Sequence, residues 1–175
     1  MHLNRRSVIK QFLVVSAGIT FLKACKGENN PSIALKNLDI NGDDEKLLAD
    51  VSETFIPKTD TPGARDLSAH LFALKMLDDC YKKEDQEKFI SGLKDFERFV
   101  KGKKGKSFSA CTIVERQSML NELDKRKSDD DLSYFYSTQK SLTVQAYTTS
   151  KFYLTQVRDY KLVPGKYKGC VPAKV

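Results

Sequence analysis

Apolar residues after position 42 recur at intervals of three and four, the spacing that places side chains on one face of an α-helix. This spacing predicts helices over about residues 43–56, 66–81 and 84–100. Strict alternation of apolar and polar residues, which is typical of half-buried strands, is scarce along the chain. The hydrophobic pattern therefore predicts an all-α domain.

Two further helices are predicted from the residues that begin them. Thr112 and Glu115 have the spacing of a capping box, in which each side chain pairs with the backbone of the other residue. The three aspartates at residues 129–131 place acids at the positive end of the helix that follows. The predicted fold is thus a single domain over residues 43–175, a bundle of about five helices.

Two other segments are rich in proline and glycine. Residues 56–64 contain two prolines, a glycine and an aspartate, which together favour a fixed loop. Residues 160–172 combine proline and glycine with tyrosine, and this composition excludes a regular helix. We expect this C-terminal segment to be an ordered arm that wraps over the bundle.

The first residues have the order of a secretory signal. Arg5 and Arg6 precede an uncharged run over residues 11–22, and the small residue Ala24 follows this run. Paired arginines before the apolar run indicate the twin-arginine route, which exports proteins that are already folded. The run has twelve residues, fewer than the roughly 20 that a membrane-spanning helix needs. An export signal is therefore predicted rather than a permanent anchor.

Cys25 allows two interpretations. With Leu22 and Ala24 it resembles a lipoprotein processing site, at which the cysteine becomes the lipidated first residue. The alternative is simple cleavage near Ala24. In both cases residues 1–25 form the export signal, and the polar residues 26–42 predict a tether. The predicted location is periplasmic or membrane-associated.

The net charge of +7 is concentrated in the export signal. After residue 25 the chain carries 26 basic and 23 acidic residues, a net charge of +3. The lysine cluster at residues 101–106 predicts a flexible, solvated loop. Because no aromatic residues alternate with these lysines and no recognised motif occurs, we do not expect nucleic-acid binding.

The sequence lacks the common motifs of catalysis. It has no G-x-S-x-G elbow, phosphate loop, G-x-G-x-x-G or H-E-x-x-H motif. His70 is the one histidine beyond the signal, and we expect it to be a packed or capping residue. With no CxxC pair and so few histidines, neither a metal site nor a catalytic residue is expected.

The cysteines can support at most one internal disulfide if Cys25 is lipidated, since only Cys80, Cys111 and Cys170 then remain. A bridge between Cys80 and Cys170 is favoured because it would tie the C-terminal arm to a helix. Such a bond is permitted outside the cytoplasm. The alternative is that each cysteine is a small buried apolar residue.

Two stretches carry more specific motifs. A predicted helix ends in Ile-Pro and is followed by the loop T-D-T-P-G-A at residues 59–64. Near the C-terminus, K-S-L-T at residues 140–143 and Y-T-T-S at residues 147–150 precede P-G-x-Y-x-G-C-x-P at residues 164–172. Both motifs, in this order, resemble the gluconate 2-dehydrogenase subunit 3 family. The resemblance covers most of the chain after the tether.

This resemblance implies a non-catalytic small subunit of an oxidoreductase complex. The family's partner is a large flavin-containing dehydrogenase of the glucose-methanol-choline type, often accompanied by a multihaem cytochrome c subunit. The partner carries FAD and oxidises a sugar acid, sugar or polyol, so no cofactor is expected on this chain. The small subunit would assist maturation and twin-arginine export of the folded large subunit, and membrane association would come through the partner or a lipid.

We expect the loop and the C-terminal arm to contact that partner, since both place apolar or aromatic groups on rigid backbone, which binds at low entropic cost. The expected contact residues are Pro57, Asp60, Thr61, Pro62, Gly63, Pro164, Gly165 and Tyr167. The alternative is a free-standing exported lipoprotein or small enzyme that uses His70 and nearby acids. Turnover by the isolated protein would distinguish the two.

Overall fold

The computed structural model describes residues 29–158, 160–163, 165 and 169–170. The chain divides into two compact units, Met1–Asn30 and Pro31–Val175. All of the helices described below belong to the second unit.

The second unit is helical, and the described residues contain no strand. Within its described residues there are five α-helices, numbered in chain order: α1 Gly42–Phe55, α2 Ala69–Cys80, α3 Lys83–Lys104, α4 Ile113–Lys125 and α5 Asp131–Thr149. A 3₁₀ turn, Phe108–Ala110, precedes α4, and a π-helix, Tyr153–Val157, follows α5. The predicted all-α class is confirmed.

Local side chains begin three of these helices. Asn41 caps α1 and forms a capping box with Asp44. Thr112 and Glu115 form the predicted capping box of α4, and Asp130 accepts a hydrogen bond from the Ser133 amide at the start of α5. Each cap satisfies backbone N–H groups that have no partner within the helix.

The core forms where α5 packs against α3 and α2, its most extensive partners. Phe135 lies 5.1 Å from Phe89 and 5.3 Å from Phe96, measured between ring centroids. Gly92 allows this crossing, because a Cβ atom there would lie 2.6 Å from the Cβ of Phe135 and would also overlap the Asp131 carbonyl. A side chain at Gly92 would therefore force α3 and α5 apart.

Residues 31–40, which we call the strap, are packed against the helices and are not a tether. Leu38 and Ile40 are buried in the core. Three consecutive amides, those of residues 36–38, donate hydrogen bonds to the carboxylate of Asp78 in the last turn of α2. Burial by itself raises the pKa of Asp78. The three donated hydrogen bonds together lower it by more than burial raises it, so the pKa lies below its usual value of 3.8. The predicted tether is therefore wrong for this part of residues 26–42.

The lysine cluster is also ordered, contrary to the prediction of a flexible loop. Lys101, Lys103 and Lys104 lie in the last turn of α3, where cations interact favourably with the helix dipole. Gly105 caps the end of this helix, and its φ of 64° is a left-handed conformation that favours glycine. Its amide donates to the Lys101 carbonyl at 2.8 Å.

The C-terminal segment differs from the predicted arm. In its described part the apolar side chains face solvent, with Leu162 83% and Val163 81% exposed. Tyr160 is held locally, since its amide donates to the Leu154 carbonyl at 3.1 Å. An arm wrapped over the bundle is thus not confirmed.

The predicted Cys80–Cys170 disulfide is not formed in this structure. Both cysteines are free thiols at the surface. Cys111 is also a free thiol, but it is buried and its Sγ lies 3.4 Å from the Ser107 carbonyl oxygen. Cys111 therefore matches the alternative of a small buried residue.

Candidate functional site

The loop after α1, residues 57–64, is the predicted contact region, and we call it the proline loop. Glu53 on α1 supports it from beneath. One carboxylate oxygen accepts from the Lys58 amide at 2.9 Å, and the other accepts from the Arg65 amide at 2.9 Å. The Ala64 amide also donates to the Ile56 carbonyl at 2.9 Å. Both ends of the loop are therefore fixed to the end of the same helix.

Gly63 allows the carboxylate to reach both ends. A Cβ atom at this position would lie 2.6 Å from each Glu53 carboxylate oxygen and 2.7 Å from the Lys58 nitrogen. Gly63 is buried, so it supports the loop from inside and is not accessible to a partner. This corrects the prediction for Gly63.

The outer part of the loop is exposed. Pro57, Asp60 and Thr61 face solvent, and Pro62 is half-buried. Within the loop, the Thr59 amide donates to the Thr61 carbonyl at 3.1 Å. The result is an apex with a fixed backbone and accessible side chains, which a partner can bind with little loss of conformational entropy.

An ion pair closes the base of the loop. The Lys58 ammonium lies 3.1 Å from a carboxylate oxygen of Asp66, and the same oxygen accepts from the Gly63 amide at 3.2 Å. The Lys58 contact and then the Gly63 amide lower the pKa of Asp66 below its usual value of 3.8. Asp66 thus remains ionised at neutral pH and keeps the loop closed.

The loop joins the bundle through small residues. Ala64 and Ala69 are fully buried and form a cluster with Ala146 of α5. Ile56 and Phe72 pack against this cluster. Because alanines permit close approach, the loop is fixed to the C-terminal part of α5 as well as to α1.

A cluster around Asp50 connects the loop to α4, and the sequence analysis did not identify it. Arg65 forms an ion pair and hydrogen bond with one oxygen of Asp50, and Arg116 Nη1 lies 3.4 Å from the same oxygen. Ser109 donates to the other oxygen. We call these four residues the Asp50 cluster. The available signal was an acid within the apolar stripe of α1, three residues after Leu47.

Arg116 fixes the 3₁₀ turn to this cluster. Its Nε donates to the Phe108 carbonyl at 3.0 Å, and its Nη2 donates to the Ser109 carbonyl at 2.7 Å. The guanidinium also lies 5.2 Å from the centroid of the Phe108 ring. The proline loop, the turn and α4 are therefore held in one arrangement by charged contacts.

Beneath the loop, α1 and α5 share buried polar contacts. Gln139 donates to the Ser52 hydroxyl at 2.9 Å, and that hydroxyl lies 3.2 Å from the hydroxyl of Thr143. All three side chains are buried. Hydrogen bonds at fixed positions favour one register of α1 on α5, and so one position of the loop.

His70 lies in the first turn of α2 and is half-buried. Burial lowers its pKa below 6.5, and its buried Nδ1 has no hydrogen-bond partner. The acids that flank this region have other partners, since Asp66 pairs with Lys58 and Asp78 binds the strap. The structure therefore forms no catalytic pair that includes His70 and either of these acids.

Several predicted residues lie outside the described part of the chain. These are Arg5, Arg6, Cys25, Pro164 and Tyr167. Gly165 is described, and its φ of 70° is a left-handed conformation that favours glycine.

The described residues contain neither a cluster of metal ligands nor a helix suited to crossing a membrane. Among them, no group of three or more His, Cys, Asp and Glu side chains is arranged to hold a metal ion. In the same part of the chain, no helix combines the length and apolar character that crossing a membrane requires.

The fold and the site together define an all-α protein that presents a rigid, partly exposed loop at the end of its first helix. Comparison with family models then gives the family. The model described as "Gluconate 2-dehydrogenase subunit 3" matches residues 42–165, and the chain belongs to this family. Membership implies that the chain is part of a multi-subunit gluconate dehydrogenase complex. Comparisons with curated proteins and with solved structures give no match.

Proposed function

We propose that this chain is the non-catalytic small subunit of an exported, flavin-dependent complex that oxidises gluconate, another sugar or a polyol. Its large partner subunit carries the FAD and the substrate pocket, and a cytochrome c subunit accepts the electrons where one is present. Family membership supports the assignment to such a complex. The chain contributes binding and export, and the partner contributes the chemistry.

The partner docks on the apex of the proline loop. The observation that carries this proposal is an exposed apex on a backbone fixed by Glu53, within the stretch that the family model matches. Pro57, Asp60 and Thr61 supply the accessible side chains. A preformed loop loses little conformational freedom on binding, so more of the contact energy remains as affinity.

The C-terminal segment supplies a second part of the contact. Val157, Tyr160, Leu162 and Val163 are all exposed in the described structure. Burying one such side chain in full contributes about 1.5–3 kcal/mol. A tail that exposes several of them is therefore suited to a partner surface, and Pro164, Gly165 and Tyr167 extend the same segment.

Export is the second part of the proposal. Arg5 and Arg6 direct the folded complex to the twin-arginine route, so that this chain escorts a large subunit that has no signal of its own. The complex then resides in the periplasm or at the membrane. If Cys25 is lipidated, a single acyl anchor adds a weak membrane contact, and the partner supplies the remainder.

Charge reversal within two exposed loops tests the docking site. Asp60 lies in the proline loop, and Asp129 lies in the connection between α4 and α5. Asp60→Lys should reduce recovery of the large subunit with the tagged small subunit, because a new cation is placed in the interface. Asp129→Lys is the matched control and should leave recovery unchanged. Equal recovery with both variants would exclude the proline loop as the docking site.

A further inference from the structure

The strap is bound to the helices through one buried carboxylate. The side chain of Asp78 is fully buried. Its oxygens accept from the amides of Lys36 at 3.0 Å, Asn37 at 2.6 Å and Leu38 at 3.1 Å. In return, the Asn37 side chain donates to the Asp78 carbonyl at 2.8 Å. This two-way pairing fixes the middle of the strap at the end of α2.

Two other contacts extend the attachment. At the beginning of the strap, the amide and hydroxyl of Ser32 donate to the Glu45 carboxylate at 2.6 and 2.7 Å. At its end, Leu38 and Ile40 are buried in the main core. The strap is thus held by α1, by α2 and by the core between them.

Strap docking depends on a folded core, because its partners are distant in sequence. Asp78 lies 40 to 42 residues further along the chain than the amides that donate hydrogen bonds to it. Gln86 of α3 donates to the Leu77 carbonyl at 2.9 Å and to the Asp78 carbonyl at 3.2 Å, and these bonds attach the end of α2, where the strap binds, to the next helix. Lys75 Nζ also lies 3.8 Å from an Asp78 oxygen, so the carboxylate that receives the strap amides is partly balanced by a cation of its own helix.

We propose that residues 31–40 are a folding-dependent strap, whose docking on Asp78 couples completion of the helical core to presentation of the N-terminal export segment. The strap directly follows the first thirty residues and begins the second compact unit. When it is undocked, Leu38 and Ile40 leave the core, and residues 31–40 are no longer held between the export signal and α1. The export part of this inference rests on the proposed function.

Limited trypsin digestion of the full chain tests the docking directly. Lys36 is the one trypsin site within the strap, and Lys127 in the exposed α4–α5 connection is an internal control. Asp78→Ala should speed cleavage after Lys36 by about tenfold or more, because cleavage follows the population of the undocked state. Cleavage after Lys127 should not change. Asp79→Ala is the matched control, since Asp79 is exposed and pairs with Lys75 rather than with the strap.

Leu38→Ser provides an independent variant whose substitution lies in the strap itself and leaves Asp78 unchanged. If circular dichroism shows that both variants retain their helices while Lys36 becomes accessible, the strap is separable and the docking is supported. If cleavage after Lys36 is unchanged in both, the proposal is overturned. If both variants lose their helices together, the strap is an inseparable part of the core, and the proposal is overturned as well.

An export assay then tests the coupling. In cells that make the full precursor and its partner, Asp78→Ala and Leu38→Ser should lower the exported fraction, whereas Asp79→Ala should export like the native chain. Equal export of all three would overturn the coupling. A variant with Arg5→Lys and Arg6→Lys separates the two claims. If its export is normal, the signal assignment fails, while the trypsin result on the strap is unaffected.

Discussion

Gly63→Ala should loosen the proline loop while leaving the helices in place. The added Cβ would lie 2.6 Å from both Glu53 carboxylate oxygens and 2.7 Å from the Lys58 nitrogen. Ordinary contacts are longer than 3.4 Å, so either the carboxylate or the backbone must move. If Glu53 moves, its bonds to the Lys58 and Arg65 amides are lost.

The magnitude follows from these two bonds and the overlap. Hydrogen bonds to charged groups contribute about 1.5–3 kcal/mol each, and the lower end applies because both are solvent-accessible. Overpacking typically costs about 1–3 kcal/mol, and relaxation recovers part of that cost. We expect Gly63→Ala to lower the free energy of unfolding by about 3–5 kcal/mol.

Urea denaturation followed by circular dichroism measures this change, and Gly102→Ala is the matched control. Gly102 lies within α3, and a Cβ there would meet no atom within 4 Å. Alanine at that helical position should stabilise the protein by about 0.5–1 kcal/mol. A Gly63→Ala variant within about 0.5 kcal/mol of the native protein would refute the proposed role of Glu53 and Gly63.

Three further predictions concern the core, the Asp50 cluster and pH. Gly92→Ala should destabilise the protein by about 2–4 kcal/mol in the same assay, because α3 and α5 cross there and the added Cβ atom would overlap α5. A neutral result would contradict that close contact. Asp50→Ala should cost about 1–3 kcal/mol by urea denaturation, since Arg116 and Ser109 lose their shared acceptor; a neutral result would mean that the cluster does not hold the turn. The Lys106 ammonium, followed by the Thr112 amide, lowers the pKa of Glu115 from 4.5 to about 2. The ionised Glu115 side chain therefore contributes fully to the stability of the fold above pH 4.5, and this contribution is lost as the pH falls towards 2. The melting temperature of the native protein should therefore fall more steeply over this pH range than that of Glu115→Gln, and parallel curves would contradict the assignment.

Features specified by nearby residues were predicted well from the sequence. The capping box of Thr112 and Glu115 needs only a spacing of three residues, and it occurs as expected. Pro57 ends α1 because proline restricts the residue before it, and that helix ends at Phe55. The proline loop was likewise evident from its own composition.

Features specified by distant residues were missed. The strap is ordered by Asp78, some forty residues away, and composition alone predicted a tether. The Asp50 cluster joins residues of α1, the 3₁₀ turn and α4 with Arg65, which directly follows the proline loop, so no local pattern reveals it. The start of α2 was placed too early, because Ser68 adopts a left-handed conformation with a φ of 53° that its sequence does not predict.

The cellular location of the large subunit tests the accessory role most directly. Arg5→Lys combined with Arg6→Lys should disable the export signal without altering the helical unit. If this chain escorts its partner, the flavin-containing subunit should then accumulate in the cytoplasm together with the small subunit. If the large subunit still reaches the periplasm, the escort role is contradicted and the signal moves this chain alone.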